Sequence, residues 1–435
     1  MVEAQAPAAA MAPDVLIIGA GIGGLTLALS LHRAGIPARV VEAVPSIRPL
    51  GVGINVLPHA VRELTELGLA EKLEARAIRT KELIYTNKFG QEIWREARGQ
   101  DAGYSWPQFS VHRGRLQMLL FETVVERLGA GAVRTDAELV GFEQDEAGVT
   151  AHFRRRSDGA ALPPERASIM IGADGIHSAV RAQYYPNEGA PKWNGAVLWR
   201  ATSEAAPYLS GRSMIMAGHQ DQKFVCYPIS PEAAARGRSE VNWIAELRFP
   251  NDTPWNREDW NRPGKIEDFL PQFESWNFGW LDVPGLIRSA NAIYEFPMVD
   301  RDPVARWSFG RVTLMGDAAH AMYPIGSNGA SQAIIDARVL AHRLATIADP
   351  VAALQAYEAE RLPATSRIVL ANRANGPERV MQHVEERAPK GYAKLDDIIS
   401  RSELEAVAKD YKLIAGFDKD VLNNRPSLDA RYGGR

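Results

Sequence analysis

The sequence predicts an α/β protein in which a domain of parallel strands and helices is interrupted by a mixed, largely antiparallel β-sheet domain. Its 435 residues exceed what one ordinary core organises, which favours two domains. Short apolar runs that end in glycine occur in "DVLIIGAG", "ASIMIGADG" and "RVTLMGDA", as buried parallel strands do. Between the second and third runs, residues 193–296 change to short aromatic-rich stretches separated by polar turns, which is typical of an antiparallel sheet.

The first run opens a complete strand–turn–helix–strand unit over residues 14–43. Gly19 permits a tight turn, Gly21 lets the backbone approach a pyrophosphate, and Gly24 allows the helix to pack closely on the strand. The helix then directs its N-terminal amides and the positive end of its dipole at the phosphates. Glu42 ends the second strand, where a carboxylate accepts hydrogen bonds from an adenosine ribose and repels a 2′-phosphate. The unit therefore predicts FAD or NAD rather than NADP, and its complete context disfavours the alternative of a glycine turn without a ligand.

Three further elements follow this unit. "PHAVRELTELG" is a helix with Pro58 near its start and Gly68 at its end. "ELIYTN" and "EIWRE", separated by "KFGQ", predict a hairpin. "GRLQMLLFETVVERLG" is an amphipathic helix.

The other two glycine-ended strands each lead to an aspartate. In "GADGIHSAVR", Asp174 lies between glycines and Arg181 follows; the decapeptide alone leaves open whether Asp174 meets a ligand or caps a helix. In "LMGDAAHAMYPIGSNGASQAIIDA", Asp317 follows the strand, and the small residues 326–330 leave backbone amides free for a planar or anionic group. An ordinary helix cap would explain either aspartate alone, but explains poorly why three such loops occur in one chain.

The domain boundaries follow from these changes of pattern. We expect helices over 265–275 and 281–289 to lie beside the central sheet. The discontinuous nucleotide-binding domain is predicted to cover 1–80, 101–192 and 297–375, the sheet domain 81–100 and 193–296, and a C-terminal helical tail 376–435.

The three motifs, in this order and with these separations, resemble the class A (single-component) FAD-dependent aromatic monooxygenases over about residues 14–375. The segments "IRPLGVGIN", "HRGRLQ", "DWN", "FGW" and "YEFPMVDRDPVARW" are most similar to the phenazine hydroxylase and salicylate hydroxylase-like branch. The resemblance implies a p-hydroxybenzoate hydroxylase-like fold, with a Rossmann-like FAD-binding domain, an interrupting β-sheet substrate domain and a C-terminal helical region. Residues 376–435 depart from the family pattern, and nothing is carried over to them.

In this family the first motif holds the ADP part of FAD, the second contacts FAD and NAD(P)H, and the third holds the ribityl chain and the flavin ring. The resemblance implies the same for this chain, with "HRGRLQ" touching the ribose or phosphates and "IRPLGVGIN" lying beside the pyrimidine edge of the flavin. The cofactor-binding residues are therefore predicted to be Gly19, Gly21, Gly24, Glu42, Arg48, Gly51, Val52, Gly53, Arg113, Gln117, Asp174, Gly175, Arg181, Gly316, Asp317, Gly326, Asn328 and Gly329.

The resemblance also implies the chemistry. NADH or NADPH, with NADH favoured, reduces FAD; dioxygen then forms a flavin C4a-hydroperoxide, which hydroxylates an aromatic or heteroaromatic small molecule that is carboxylated or phenolic. A carboxylate on the attacked carbon would leave as carbon dioxide. The alternatives are epoxidation or urate-type hydroxylation on the same scaffold and, in a different class, a plain NAD-dependent dehydrogenase. The dehydrogenase alternative leaves "GADG" and "GDAAH" unexplained.

Candidates for the substrate pocket come from alternating strand positions and from the third motif. The predicted substrate residues are Tyr85, Trp94, Trp199, Arg200, Tyr227 and Trp243. For each aromatic residue, packing in the sheet core is the competing interpretation, whereas Arg200 either binds a substrate carboxylate or forms a structural ion pair. The catalytic candidates are Pro324, His320 and Tyr227, and for His320 packing or hydrogen bonding is favoured over general-base catalysis. No group of His, Cys and Asp has metal-ligand spacing, so no metal is expected.

Composition sets the remaining expectations. A net charge of −3 gives no reason to expect nucleic acid or an anionic membrane as a partner. Cys226 is the single cysteine, so no intrachain disulfide forms, and a reducing, cytoplasmic location suits the chain. The expected partners are a small aromatic substrate, NAD(P)H and dioxygen, with the enzyme a monomer or homodimer. The first thirteen residues are predicted to be a tail.

Overall fold

The structure is a computed structural model that describes residues 14–250, 253 and 262–434. The N-terminal tail of the sequence prediction and the "DWN" motif at 259–261 lie outside the described residues.

The strands are β1 (Val15–Ile18), β2 (Ala38–Val41), β3 (Gly53–Val56), β4 (Ala77–Arg79), β5 (Glu82–Thr86), β6 (Glu92–Ala97), β7 (Phe109–His112), β8 (Val133–Arg134), β9 (Glu138–Gln144), β10 (Val149–Arg154), β11 (Ala161–Ala167), β12 (Ile169–Gly172), β13 (Lys192–Ala205), β14 (Ser213–His219), β15 (Gln222–Pro228), β16 (Ser239–Arg248), β17 (Tyr294–Asp300) and β18 (Val312–Leu314). The helices are α1 (Ile22–Ala34), α2 (Pro58–Glu66), α3 (Ala70–Glu74), α4 (Arg113–Leu128), α5 (Ala179–Tyr184), α6 (Pro231–Ala235), α7 (Leu270–Phe273), α8 (Val283–Arg288), α9 (Asp317–His320), α10 (Gly329–Thr346), α11 (Pro350–Arg373), α12 (Arg379–Arg387), α13 (Arg401–Ala415) and α14 (Lys419–Asn424).

A five-stranded parallel sheet carries the three glycine-ended strands. Its order is β18-β12-β1-β2-β8, and the residues of β1 and β12 are buried on both faces, as apolar runs in parallel sheets are. Ile18 pairs with Gly172, which pairs with Leu314, so the three strands end at the same edge. In open parallel sheets, ligands bind beyond the carboxyl ends of the strands, and a ligand site is therefore expected at this edge.

The second large sheet has seven strands in the order β17-β13-β16-β15-β14-β5-β6. It is mixed, because β14 pairs with β5 in parallel while the other neighbours are antiparallel. The predicted hairpin supplies β5 and β6, and α7 and α8 cover one face as the sequence predicts. The predicted fold class, an α/β domain with a parallel sheet that is interrupted by a mixed sheet and followed by helices, is confirmed.

The division into domains remains a prediction, and one boundary needs adjustment. The predicted break at residues 296 and 297 falls inside β17, which pairs with β13 along Tyr294–Asp300. We therefore propose that the sheet domain extends to Asp300. Strands β9 to β11 form a separate three-stranded sheet that the sequence did not single out.

The C-terminal residues 376–435 are helical, with α12 packed on β14 and α13 packed on α11. Across the described ranges, no helix combines the length and the apolar character needed to cross a membrane.

Candidate active site

A cavity of about 300 Å³ lies between the carboxyl edge of the parallel sheet and the seven-stranded sheet. All three glycine-rich turns reach it, because their strands end at one edge. The lining residues from these turns include Gly21, Gly23, Ala173, Gly175, Gly316, Asp317 and Gly329.

Three glycines of the first motif act in different ways. Gly19 has φ +107°, and a Cβ there would lie 2.5 Å from the carbonyl oxygen of Ala173. A Cβ on Gly24 would lie 2.1 Å from the carbonyl oxygen of Gly19, so this glycine lets α1 pack against the turn. A Cβ on Gly21 would meet no protein atom within 4 Å, and Gly21 lines the cavity. Gly19 and Gly24 are therefore required by the protein itself, whereas Gly21 leaves room for a ligand.

The first turn is also held by two polar side chains that lie outside the cavity lining. The backbone N–H of Ala20 donates to Glu42 Oε2 at 2.7 Å, and the N–H of Val44 donates to Oε1 at 2.9 Å. Gln117 Nε2 donates to the carbonyl of Ala20 at 2.8 Å. Arg48 is exposed and also lies outside the lining, so the structure does not bring it to the cavity.

The loop before β3 is fixed to the seven-stranded sheet through Gly53. Its N–H donates to Asn242 Oδ1 at 2.6 Å, and its carbonyl accepts a hydrogen bond from the Tyr227 hydroxyl at 2.9 Å. A Cβ on Gly53 would lie 2.6 Å from the Cβ of Asn242, so only glycine allows this approach. Gly51, Val52 and Gly53 all line the cavity, as the sequence predicts for the cofactor loop.

Two residues of opposite charge line the cavity beside this loop. Arg113, the first residue of α4, and Asp317, the first residue of α9, both line it. Burial lowers the pKa of Arg113, and the neighbouring charge of Asp317 opposes that shift. Asp317 is exposed towards the cavity and is available to a ligand hydroxyl.

The loop that carries Asp317 is supported from behind by buried Asp336. Asp336 Oδ2 accepts from the N–H of Gly316 at 3.0 Å and lies 2.6 Å from His320 Nε2, while Oδ1 accepts from Arg361 Nε at 2.7 Å. His320 is buried and lies outside the cavity lining, so the prediction of a catalytic His320 is corrected. Its ring contacts Asp336 because α9 turns it away from the cavity, and this agrees with the competing hydrogen-bonding interpretation.

The second motif also supports the cavity rather than lining it with its charged residues. Asp174 accepts from the Ser178 hydroxyl at 2.6 Å and from the N–H of Ala179 at 2.7 Å, so it caps the turn that leads into α5. Arg181 is fully buried and donates to the carbonyls of Ala318 and Ala319 at 3.1 and 2.8 Å. Neither side chain belongs to the lining, although Ala173 and Gly175 do. Both side chains fix neighbouring turns, and their contact with a cofactor stays a prediction.

The loop after α9 depends on a residue of the C-terminal helices. Pro324, Asn328 and Gly329 line the cavity, and a Cβ on Gly326 would lie 2.1 Å from the Tyr411 hydroxyl. That hydroxyl accepts from Asn328 Nδ2 at 3.0 Å and lies 3.2 Å from the carbonyl oxygen of Ile325. Tyr411, to which the sequence assigned no function, thus holds the loop in place.

Of the predicted substrate residues, Arg200 and Tyr227 line the cavity. Arg200 lies on β13 with its guanidinium 4.7 Å from the ring centroid of Phe296 on β17. Burial and the charge of Arg113 lower the pKa of Arg200 to about 10, so it remains a cation at neutral pH. Burial raises the pKa of Tyr227, which keeps its hydroxyl protonated for the hydrogen bond to Gly53.

The other predicted aromatic residues lie elsewhere. Trp199 and Trp243 are on the opposite face of the sheet, packed with Phe269 and α8, because successive strand residues point to opposite faces. Tyr85 and Trp94 form a cross-strand pair further along the sheet, where α12 and α13 cover them. These four predictions are corrected, and core packing describes the residues instead.

The sequence missed a charged cluster in the cavity wall, formed by Lys223, Glu246 and Glu378. Lys223 Nζ lies 2.9 Å from Glu246 Oε2 and 2.6 Å from Glu378 Oε2. Glu378 comes from the turn before α12, and no sequence pattern pairs it with strands more than a hundred residues away. Alternation with Val225 and Tyr227 on β15 could have placed Lys223 on the cavity face.

A family model described as an FAD binding domain matches residues 12–263 and 282–372 of this chain. The chain belongs to this FAD-binding family. It is 47% identical over 362 residues to a phenazine 1,6-dicarboxylic acid hydroxylase from Lysobacter antibioticus, covering 83% of this chain and 89% of the relative. It is 34% identical over 402 residues to a 3-amino-4-hydroxybenzoate 2-monooxygenase from Streptomyces platensis, covering 88% and 94%. A solved HpxO variant from Klebsiella pneumoniae complexed with FAD shares the fold, with a TM-score of 0.67, 24% identity and 95% and 97% of the two chains covered.

These findings confirm the class A flavin monooxygenase prediction and its cofactor, FAD. The chain is a flavin-dependent monooxygenase of the aromatic hydroxylase type. The cavity fits such a cofactor, because Gly21, Gly175 and Gly329 all line it and a Cβ on any of them would meet no protein atom within 4 Å.

The Asp336 cluster predicts an acid-sensitive contribution to stability. Burial alone would raise the pKa of Asp336, but the neighbouring His320 and Arg361 outweigh burial and lower it to about 2. The folded value lies below the unfolded value of 3.8, so the stabilisation is complete above that value and is lost as the pH falls towards the folded pKa. It amounts to about 2 kcal/mol.

We expect the free energy of unfolding of the wild type to exceed that of Asp336→Asn at about pH 6, and the difference to shrink as the pH falls to about 2. Urea unfolding of both proteins across this range measures the difference. A difference that stays constant with pH would contradict the assignment.

Proposed function

We propose that this flavoprotein hydroxylates a flat heteroaromatic carboxylate, of the size of a phenazine carboxylate, and takes its electrons from NADH. The observation that carries the proposal is half-buried, cationic Arg200 in the cavity wall, where apolar Ile244 and Met298 line the cavity beside it. The Lysobacter and Streptomyces relatives, whose names describe hydroxylation of aromatic acids, support this substrate class.

The residues of the three turns would hold FAD. The N-terminus of α1 and the backbone at Gly21 would meet the pyrophosphate. Glu42 already accepts from the N–H groups of Ala20 and Val44, and its remaining lone pairs would accept from the adenosine ribose. Asp317 would bind the ribityl chain, and the loop from Pro324 to Gly329 would lie against the flavin ring. Bound FAD supplies hydride acceptance from the nicotinamide and the activation of dioxygen for oxygen transfer.

The chain's own residues would orient the substrate and exclude water. Arg200 would pair with the substrate carboxylate, and a bidentate pair of this kind fixes the plane of the carboxylate as well as its position. Met214, Met216 and Ile244 would contact the ring faces and keep water from the reacting atoms. The Tyr227 hydroxyl would hold the Gly53 loop rather than move a proton.

The overall reaction balances for both outcomes. With hydroxylation at a C–H carbon, the substrate, NADH, dioxygen and one proton give the phenol, NAD⁺ and water. With hydroxylation at the carbon that bears the carboxylate, the substrate, NADH, dioxygen and two protons give the phenol, carbon dioxide, NAD⁺ and water. The proposed contact of Arg200 with the substrate carboxylate fits either outcome. We expect loss of carbon dioxide only if Arg200 holds the carboxylate next to the reacting atoms.

A screen of aromatic acids for stimulated NADH oxidation tests the proposal, with mass analysis of the products. We expect phenazine-1-carboxylate to stimulate oxidation and to gain one oxygen atom, with or without loss of carbon dioxide, and NADPH to support a lower rate than NADH. Peroxide release without any hydroxylated product from the acids in the screen would contradict the proposal. A cytoplasmic location, and a monomer or homodimer, remain predictions.

A further inference from the structure

The Lys223, Glu246 and Glu378 cluster is buried in the cavity wall, yet the proposed function does not use it. The exposed fractions of the three residues are 5%, 3% and 7%. Burial of ionisable groups costs free energy unless the groups are paired. A charged cluster in the wall of a ligand cavity is therefore expected either to bind the ligand or to stabilise the wall.

The cluster carries more negative than positive charge. Two carboxylates offer about eight acceptor sites, whereas one ammonium has three donors. Burial would lower the pKa of Lys223, but Glu246 and Glu378 outweigh burial and raise it, so Lys223 remains charged. Burial, and after it the charge of Glu378, raise the pKa of Glu246, whereas the charge of Lys223 opposes that shift. The cluster can therefore accept hydrogen bonds from a donor, and it opposes a further anion.

The cluster and Arg200 lie on the same face of the sheet but are directed apart. Arg200 on β13 lies opposite Ile244 on β16, and Ile244 lies opposite Val225 on β15. Val225 is two residues along β15 from Lys223. Strand spacing and rise place the Cα atoms of Arg200 and Lys223 about 12 Å apart. The guanidinium of Arg200 leans towards Phe296 on β17, away from Glu246 on β16. Apolar side chains, among them Val225 and Ile244, separate the cationic and the acidic ends of the cavity.

We propose that Lys223, Glu246 and Glu378 form a second substrate subsite, which binds a hydrogen-bond-donating substituent at the end of the aromatic acid remote from its carboxylate. This inference rests on the proposed function. An amino group is the substituent that fits best, because it donates to the carboxylates of Glu246 and Glu378 without adding negative charge. A second carboxylate at that end would be repelled.

Three ligands that differ at one ring position test the subsite on the FAD-loaded enzyme. They are phenazine-1-carboxylate and its 6-amino and 6-carboxylate derivatives, and their dissociation constants are read from the change in the flavin spectrum. We expect the wild type to bind the amino derivative about tenfold more tightly than the parent acid, and the dicarboxylate more weakly than the parent. In Glu246→Gln and Glu378→Gln, which each leave Lys223 paired with one carboxylate, the amino preference should fall and the dicarboxylate should bind more tightly.

Glu385→Gln is the matched control, since Glu385 pairs with Lys88 at 2.6 Å outside the cavity lining and its loss should change none of the three constants. Equal binding of the amino and parent acids by the wild type, or tighter binding of the dicarboxylate, would overturn the subsite. In either case the parent acid would still bind through Arg200, and the proposed function would stand. Failure of all three acids to bind would overturn both.

Discussion

Gly21→Ala should fold normally and lose FAD. Gly21 has φ −72° and ψ −179°, an extended conformation that alanine adopts freely, and the added Cβ would meet no protein atom within 4 Å. It would project into the cavity where the backbone is expected to approach the pyrophosphate. We expect a loss of about 3 kcal/mol of FAD binding free energy, which is roughly a hundredfold increase in Kd. Flavin absorbance per protein after purification, and titration of the apoprotein with FAD, measure the effect.

Two other glycine variants separate a ligand effect from a folding effect. Gly131→Ala also adds a Cβ that meets no protein atom within 4 Å, but Gly131 lies away from the cavity, so its FAD content should be unchanged. Gly24→Ala would place a Cβ 2.1 Å from the carbonyl oxygen of Gly19 and should lower the stability of the apoprotein itself. Full flavin occupancy in Gly21→Ala would contradict the position assigned to the pyrophosphate.

Arg200→Met should weaken the binding of an aromatic carboxylate while leaving FAD in place. Arg200 is a half-buried cation that lines the cavity, and a carboxylate that enters without it would be desolvated without a partner. Removal of one partner from a buried hydrogen-bonded charge pair costs about 3 kcal/mol, or roughly a hundredfold in Kd. Titration of the flavin-loaded variant with phenazine-1-carboxylate, followed by the flavin spectrum, measures this loss.

The neutral carboxamide of the same ring system provides the ligand control, because it should bind the wild type and Arg200→Met with similar affinity. Arg248→Met provides the protein control, because Arg248 is the last residue of β16 in the same sheet and lies outside the cavity lining. If the acid and the amide lost affinity equally in Arg200→Met, the substitution would have damaged the pocket as a whole, and Arg200 would not be the carboxylate partner.

Local patterns in the sequence predicted the strands, the turns and a dinucleotide site well because the evidence for each of them is contiguous, whereas the choice of FAD needed the resemblance carried by all three motifs. Gly19, Gly21 and Gly24 lie within six residues, and the complete strand–helix–strand unit around them limits what such a turn can do. The parallel strands could also be predicted locally. A strand that is buried on both faces is a continuous apolar run, which can be recognised without knowing its neighbours in the sheet.

The substrate-binding residues are harder to predict from the sequence because they come from distant segments of the chain. Trp199 packs in the core and neighbouring Arg200 faces the cavity, because successive residues of a strand point to opposite faces of the sheet. The sequence does not say which of the two faces is covered by helices. Glu378 reaches Lys223 across 155 positions of the chain, and only the folded structure brings them together. Asp174 and Arg181 were recognised as part of a motif, but whether a motif residue touches the ligand or holds a neighbouring turn depends on side-chain direction.

The contact of Tyr411 with the loop around Ile325 has a consequence for biosynthesis. The two residues are 86 positions apart, and Tyr411 belongs to α13, which is translated after all three glycine turns. The glycine turns that face the phosphates are translated long before this support exists. Completion of the flavin side of the site therefore waits for the synthesis of α13, and the nascent chain carries every cofactor motif before it can hold the loop that follows the last of them.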